Sequence, residues 1–176
     1  TSAEAIQLAQ MDWTVSLEPL YTQGLLVPDH RAVMRNDIMK PIGVVGNYYE
    51  PIQNQQMFDL FDEVIGLGDA IYETAGTLWG GRRVWILARL PENAGPAADP
   101  IAKYILMSSS HDGSAVLSMQ WTPVRVVCYN TLTAALSGND KRFTARHTSK
   151  SLQSQSAREI LNLGNAYFDR FEEQVD

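Results

Sequence analysis

Two turn signals set inside runs of alternating residues constrain this chain most. Gly80-Gly81 separates residues 70–79 from residues 82–90, and Ser110-His111-Asp112-Gly113 separates residues 101–108 from residues 115–122. A Gly-Gly pair supplies the positive φ angles that a two-residue hairpin demands, and Asp-Gly is ordinary turn chemistry. The spacing therefore predicts a four-strand antiparallel meander. In its second strand Val84, Ile86, Ala88 and Leu90 alternate with Arg83, Trp85, Leu87 and Arg89; in its fourth, Leu117, Met119 and Trp121 alternate with Ser118, Gln120 and Thr122. Alternation assigns one face to the core and leaves the other wet, basic and partly aromatic.

The remaining elements surround this meander. Ser2 can cap a short first helix with Ala5, Ile6, Leu8 and Ala9 on its apolar side. Residues 13–17 alternate as a strand stopped near Pro19, and two more strands are expected at 32–35 and 42–48, joined by Asn36-Asp37. Met57, Leu60, Phe61, Val64 and Ile65 fall at helical spacing within residues 53–67, with Asp59, Asp62 and Glu63 outward and Gly66 and Gly68 to end the helix. A loop at 91–100 separates the two hairpins. After Pro123 a helix is expected over 126–136, then a short strand at 142–147 and a long C-terminal helix at 149–175 carrying Ile160, Leu161, Leu163, Phe168 and Phe171. The order predicts one α+β domain over residues 1–176, an antiparallel β-meander with flanking helices, with 149–176 as an appended C-terminal helix.

Charge is uneven along this order. The 176 residues sum to −6, yet residues 74–150 carry nine Lys/Arg against four acids, a net of +5, while the remainder carries five basic and sixteen acidic residues. An acidic total thus hides a basic middle. No apolar run reaches the ~20 residues of a membrane helix, the start lacks a signal-peptide plan, and the single Cys128 excludes an internal disulfide. These features predict a cytoplasmic protein. The absence of an initial Met and the stop just beyond a helical pattern are read as a piece of something longer.

The segment from Pro123 to Leu132, with residues 143–148 shortly after, places arginines, a Tyr and side-chain amides among β-branched residues. Arginines neutralise phosphates and rings stack on bases, so the candidate nucleic-acid residues are Arg82, Arg83, Trp85, Arg89, Arg125, Tyr129, Asn130, Lys141, Arg142, Arg146, His147 and Lys150. The competing explanation is a solvated sheet face whose aromatics pack under the C-terminal helix. Cys128 within Val126-Val127-Cys128 reads as a small buried residue rather than a nucleophile paired with His147. His30, His111 and His147 are too scattered for zinc, and Asp59, Asp62 and Glu63 are the solvated side of a helix rather than a cation site. Gly43-Val44-Val45-Gly46-Asn47 lacks the Lys-Ser/Thr of a phosphate loop. No catalytic residue, metal or cofactor is expected.

Several short motifs resemble one family: Met11-Asp12-Trp13 with Glu18-Pro19-Leu20-Tyr21; Gly43-Val44-Val45-Gly46 with Tyr49-Glu50-Pro51-Ile52-Gln53-Asn54; Glu73-Thr74-Ala75-Gly76-Thr77-Leu78 with Gly81-Arg82-Arg83-Val84-Trp85; Asp112-Gly113-Ser114; residues 125–132; and Arg146-His147-Thr148. In this order they resemble a phage/plasmid-like family catalogued as a domain of unknown function, number 932. That resemblance implies a mobile genetic element in a bacterial host and supplies no catalytic residues. A meander followed by a helix with an Asn/Thr-rich start is also similar to single-strand annealing proteins of recombination, which form rings or filaments. Together these imply a non-enzymatic, homo-oligomeric protein binding single-stranded DNA. The alternative is a protein-interaction or assembly component of a mobile element.

Overall fold

The computed structural model describes residues 2–66, 70–95, 98, 100–137 and 142–148. The long C-terminal helix expected at 149–175 lies outside them, as do Lys141 and Lys150. Along the chain run α1 (Ser2–Leu8), β1 (Val15–Thr22), β2 (Leu25–Arg35), β3 (Lys40–Gly46), α2 (Asn54–Ile65), β4 (Ile71–Leu78), a single 3-10 turn (Trp79–Gly81), β5 (Arg83–Ala94), β6 (Ile101–Ser110), β7 (Leu117–Thr122), α3 (Tyr129–Ser137) and β8 (Phe143–Ala145). The class is α+β. A three-stranded sheet is ordered β1-β2-β3 and a five-stranded sheet β4-β5-β6-β7-β8, all neighbours antiparallel.

The meander forms, but its first hairpin turns through the four residues Trp79–Arg82 between the paired Leu78 and Arg83 rather than through Gly80-Gly81 alone, and β8 joins beside β7 with Ser118 opposite Thr144. Several boundaries differ from expectation, most of all that of β2, which begins at Leu25 rather than at residue 32 and pairs with β1 down to Thr22. β1 continues through Pro19, because an edge strand can lose one donor and the register shifts between Pro19 and Tyr21. β5 runs on past Pro91 to Ala94 after a register shift between Arg89 and Asn93, so the hairpin loop is shorter than its composition suggested. α3 begins at Tyr129, three residues late. Thr131 Oγ1 accepts the N–H groups of Val127 and Cys128 at 2.9 and 3.0 Å and so holds the chain before the helix in a capping turn.

The principal core lies between the two sheets. Val84, Ile86, Ala88, Ile105, Met107 and Met119 face Trp13, Val15, Val33 and Ile42 of the small sheet, and α2 inserts Met57, Phe58, Phe61 and Val64 into the same cluster. These α2 positions repeat at helical spacing, which turns one stripe inward. Gln53, just before α2, extends the small sheet's bonding: its side-chain amide takes the Val15 N–H at 3.0 Å and donates to the Val15 carbonyl at 2.9 Å. The acidic helix face is partly engaged as well, since Asp62 accepts the Tyr72 hydroxyl at 2.6 Å and the Ser2 N–H at 3.3 Å.

The expected wet face of the meander is not wet. Trp85, Leu87, Tyr104 and Leu106 form a second buried cluster with Val126, Leu132 and Ala135, because α3 lies across that face. Alternation identifies two faces correctly but cannot say that a later helix covers the second. Ser118, Gln120 and Thr122 are buried with it, and the Gln120 side-chain amide donates to the Ala135 carbonyl of α3.

Candidate nucleic-acid interface

Trp79 ends up at the tip of the β4–β5 hairpin with φ of +52°, in the left-handed region, and the residue is 59% exposed. Two contacts from the small sheet hold this tip. Arg35 donates through Nη1 to the Gly80 carbonyl at 3.1 Å while its guanidinium lies 4.2 Å above the Trp13 ring and forms two 2.8 Å bonds with Asp37. Gly81, with φ of +104°, presses its backbone on the same ring; a Cβ there would stand 2.8 Å from Trp13. The tip is thereby fixed against Trp13. This aims Trp79 at Tyr129, the first residue of α3, with ring centroids 5.3 Å apart and planes tilted 58°.

Arg83 completes the arrangement. It leads β5 on the face that α3 covers, opposite Ser110, and lines a groove of about 490 Å³ with Trp79, Tyr129, Ser114, Leu132 and Thr133. Its Nε is buried and has no hydrogen-bond partner among the described residues. Burial lowers the pKa of this guanidinium from its ordinary value, Asp112 opposing that shift. The groove is thus lined by two exposed rings, a guanidinium and a few hydroxyls. That set suits a ligand with flat apolar surfaces and anionic oxygens.

The other expected residues separate into distinct places. Trp85 is buried at 6% exposure, with its ring packed on Gly76, so it presents no stacking face to solvent. Arg82 is exposed on another side, in a depression with Pro41, Gly43 and Asp112. Arg89 is exposed in the middle of β5, where its register shifts, and reaches Asn93 Oδ1 at 3.5 Å. Arg125 is paired with Glu73. Arg142 and Arg146 are exposed on either side of β8, the sheet edge opposite β4. Asn130 is exposed in the first turn of α3. His147 is buried, stacked on Tyr49 at 4.8 Å with Nε2 bonded to Ser109 Oγ at 3.2 Å. The structure brings Arg83 and Tyr129 together and does not gather the arginines into one continuous track.

Sequence reasoning missed Trp79, read there as the last residue of a strand. A bulky ring immediately before Gly-Gly at a hairpin tip was the available signal. Cys128 also departs from expectation. It is exposed, and hydrogen bonds from Thr131 lower its thiol pKa. No group of three or more His, Cys, Asp or Glu is placed to hold a metal ion among the described residues, and none of their helices is long and apolar enough to cross a membrane.

No curated protein and no solved structure matches the chain. The family match begins inside β3, so the Met11–Tyr21 motifs of the resemblance precede it, while Trp79, Arg83, Ser114 and Tyr129 fall within it. Residues 41–176 match the family model described as Domain of unknown function (DUF932), and the chain belongs to that family.

Proposed function

We propose that the protein binds single-stranded DNA in the groove formed by Trp79, Tyr129 and Arg83, without catalysis, and promotes annealing as a homo-oligomer of a phage, prophage or plasmid. The observation that carries this reading is the Arg83 guanidinium lining a groove rimmed by two exposed rings. A phosphate oxygen at that guanidinium would make a charge-assisted bond. Stacking contributes ~1–3 kcal/mol per base whatever the base, and it leaves Watson–Crick edges open for a complementary strand. That openness is what annealing requires.

The test is fluorescence anisotropy of a labelled oligothymidylate from low to moderate salt. Trp79→Gly and Tyr129→Ala should each weaken binding about fivefold or more. Arg83→Gln should weaken it and reduce the log–log salt slope by ~0.7, the contribution of one phosphate contact on a single strand. A parent protein that retains no DNA even at low salt ends the proposal.

A second reading, assembly through protein contact, is favoured by the outer half of the β1–β2 hairpin. Tyr21, Leu25 and Leu26 are all exposed there, beyond the part of the small sheet that faces the core. Sedimentation of a Leu25→Ser/Leu26→Ser variant tests it: an unchanged mass distribution removes the hairpin from any assembly.

A further inference from the structure

A second groove adjoins the first across a low ridge. Ser114 lines both the Trp79–Tyr129 groove and a neighbouring depression of about 440 Å³ walled by Tyr48, Tyr49, Val116 and His147. The ridge between them is the β6–β7 turn, where Gly113, at φ of +77°, has no side chain and Ser114 has a short one. Asp112 keeps its carboxylate at this turn, accepting the Ser114 N–H at 3.0 Å, and also lines the separate depression beside Arg82. Neither Gly113 nor Ser114 carries a bulky side chain.

The two tyrosines of the second groove differ sharply. Tyr49 is fixed, its hydroxyl donating to the Ser110 carbonyl at 3.0 Å and its ring stacked on His147. Tyr48 lies in the turn after β3, is 92% exposed, and makes no hydrogen bond or ring contact among the described residues. A single exposed ring is ordinary; one that continues a line of exposed rings beyond a shared residue is placed for use.

We propose that Tyr48 is a second stacking platform, on which a strand held by Trp79 and Tyr129 continues after crossing the Gly113-Ser114 ridge. This rests on the DNA reading above and extends its footprint. The site would then take several nucleotides, within the ~4–16 typical of single-strand binding modules.

The experiment compares oligothymidylates of about 4 and about 12 nucleotides, a span chosen from those footprints, on the parent, Tyr48→Ala and Trp79→Gly proteins by anisotropy at low salt. Tyr48→Ala is expected to weaken the longer ligand about fivefold or more and to leave the shorter within about twofold, whereas Trp79→Gly weakens both. If Tyr48→Ala leaves the longer ligand unchanged while Trp79→Gly weakens both, the second platform is refuted and the first groove stands. Equal losses at both lengths refute it too, placing Tyr48 with the first groove. Binding of neither ligand by the parent removes the DNA reading itself.

Discussion

His111 should make folding stability fall as the medium is acidified, and the geometry fixes the sign. The side chain is 1% exposed, and its Nε2 lies 2.9 Å from Asn54 Oδ1. Asn54 already donates through Nδ2 to the Met11 and Trp13 carbonyls at 2.9 and 3.3 Å, so its oxygen must face the ring and His111 must donate from Nε2. Nδ1 is then the only seat for an added proton, and it has no partner among the described residues. Burial, with His147 nearby and Arg35 adding to it against the opposing charge of Asp112, pushes the imidazole from 6.5 down to about 4. Because the unfolded chain takes up its proton first, the contribution is complete above pH 6.5 and is lost as pH falls through the window from 6.5 to about 4. At ~1.36 kcal/mol per unit the full loss is about 3 kcal/mol, of which about 2 kcal/mol is gone by pH 5. In urea titrations that is a fall in midpoint on the order of 1 M between pH 7 and pH 5. His111→Gln keeps an N–H toward Asn54 and cannot charge, so its midpoint should vary much less; His147, lowered mainly by its own burial, supplies the residual slope. A parent midpoint that does not move over this range, or a His111→Gln slope equal to the parent's, refutes the reasoning.

Gly76→Ala would place a Cβ 2.6 Å from the Trp85 ring, beneath α3, so a loss of about 1–3 kcal/mol is expected by thermal or urea unfolding. Phe61→Ala empties a fully buried site in the principal core and should cost about 3–5 kcal/mol in the same assay; a loss below 1 kcal/mol would mean the site collapses without a cavity. Trp79→Gly removes a residue held at positive φ, relieving roughly 1 kcal/mol of backbone strain while losing a ring contact of similar worth. Its unfolding midpoint should therefore stay close to the parent's while DNA affinity falls. Arg125→Gln breaks an exposed pair with Glu73 and should change stability by less than about 1 kcal/mol.

The local grammar of the chain was legible and its long-range coverage was not. Gly80-Gly81 and Asp112-Gly113 announce both hairpins, and the spacing of Met57, Phe61, Val64 and Ile65 announces α2, because turns and periodicity are properties of neighbouring residues. The burial of Trp85 depends on α3, more than forty residues later, folding back across its face, which no period of two reveals. Charge misled in a similar way. The basic window opened at Thr74, one residue after Glu73, and Glu73 is the residue that pairs with Arg125. Counting charge along the chain sorts residues by number, whereas pairing sorts them by strand register.

The same distinction explains why the candidate groove depends on a sheet that does not line it. Trp79 can face Tyr129 only while the hairpin tip is pinned, and the pins come from the small sheet and the residues leading into it: Trp13, two residues before β1, beneath Gly81, and Arg35, the last residue of β2, on the Gly80 carbonyl. Arg35 is itself locked by two bonds to Asp37, which also hold that carboxyl below its usual pKa. Trp13 and Arg35 both precede residue 41, where the family match begins. The matched region therefore contains the groove-lining residues, and the segment before it holds one rim of that groove in place. Losing the Arg35 clip should loosen Trp79 without touching Arg83 or α3, so Arg35→Gln is expected to weaken single-strand binding through Trp79 alone and to add little to Trp79→Gly. Affinities of the two single variants and the double variant decide it: losses that simply add would show that the two residues act independently and that the clip does not position the ring.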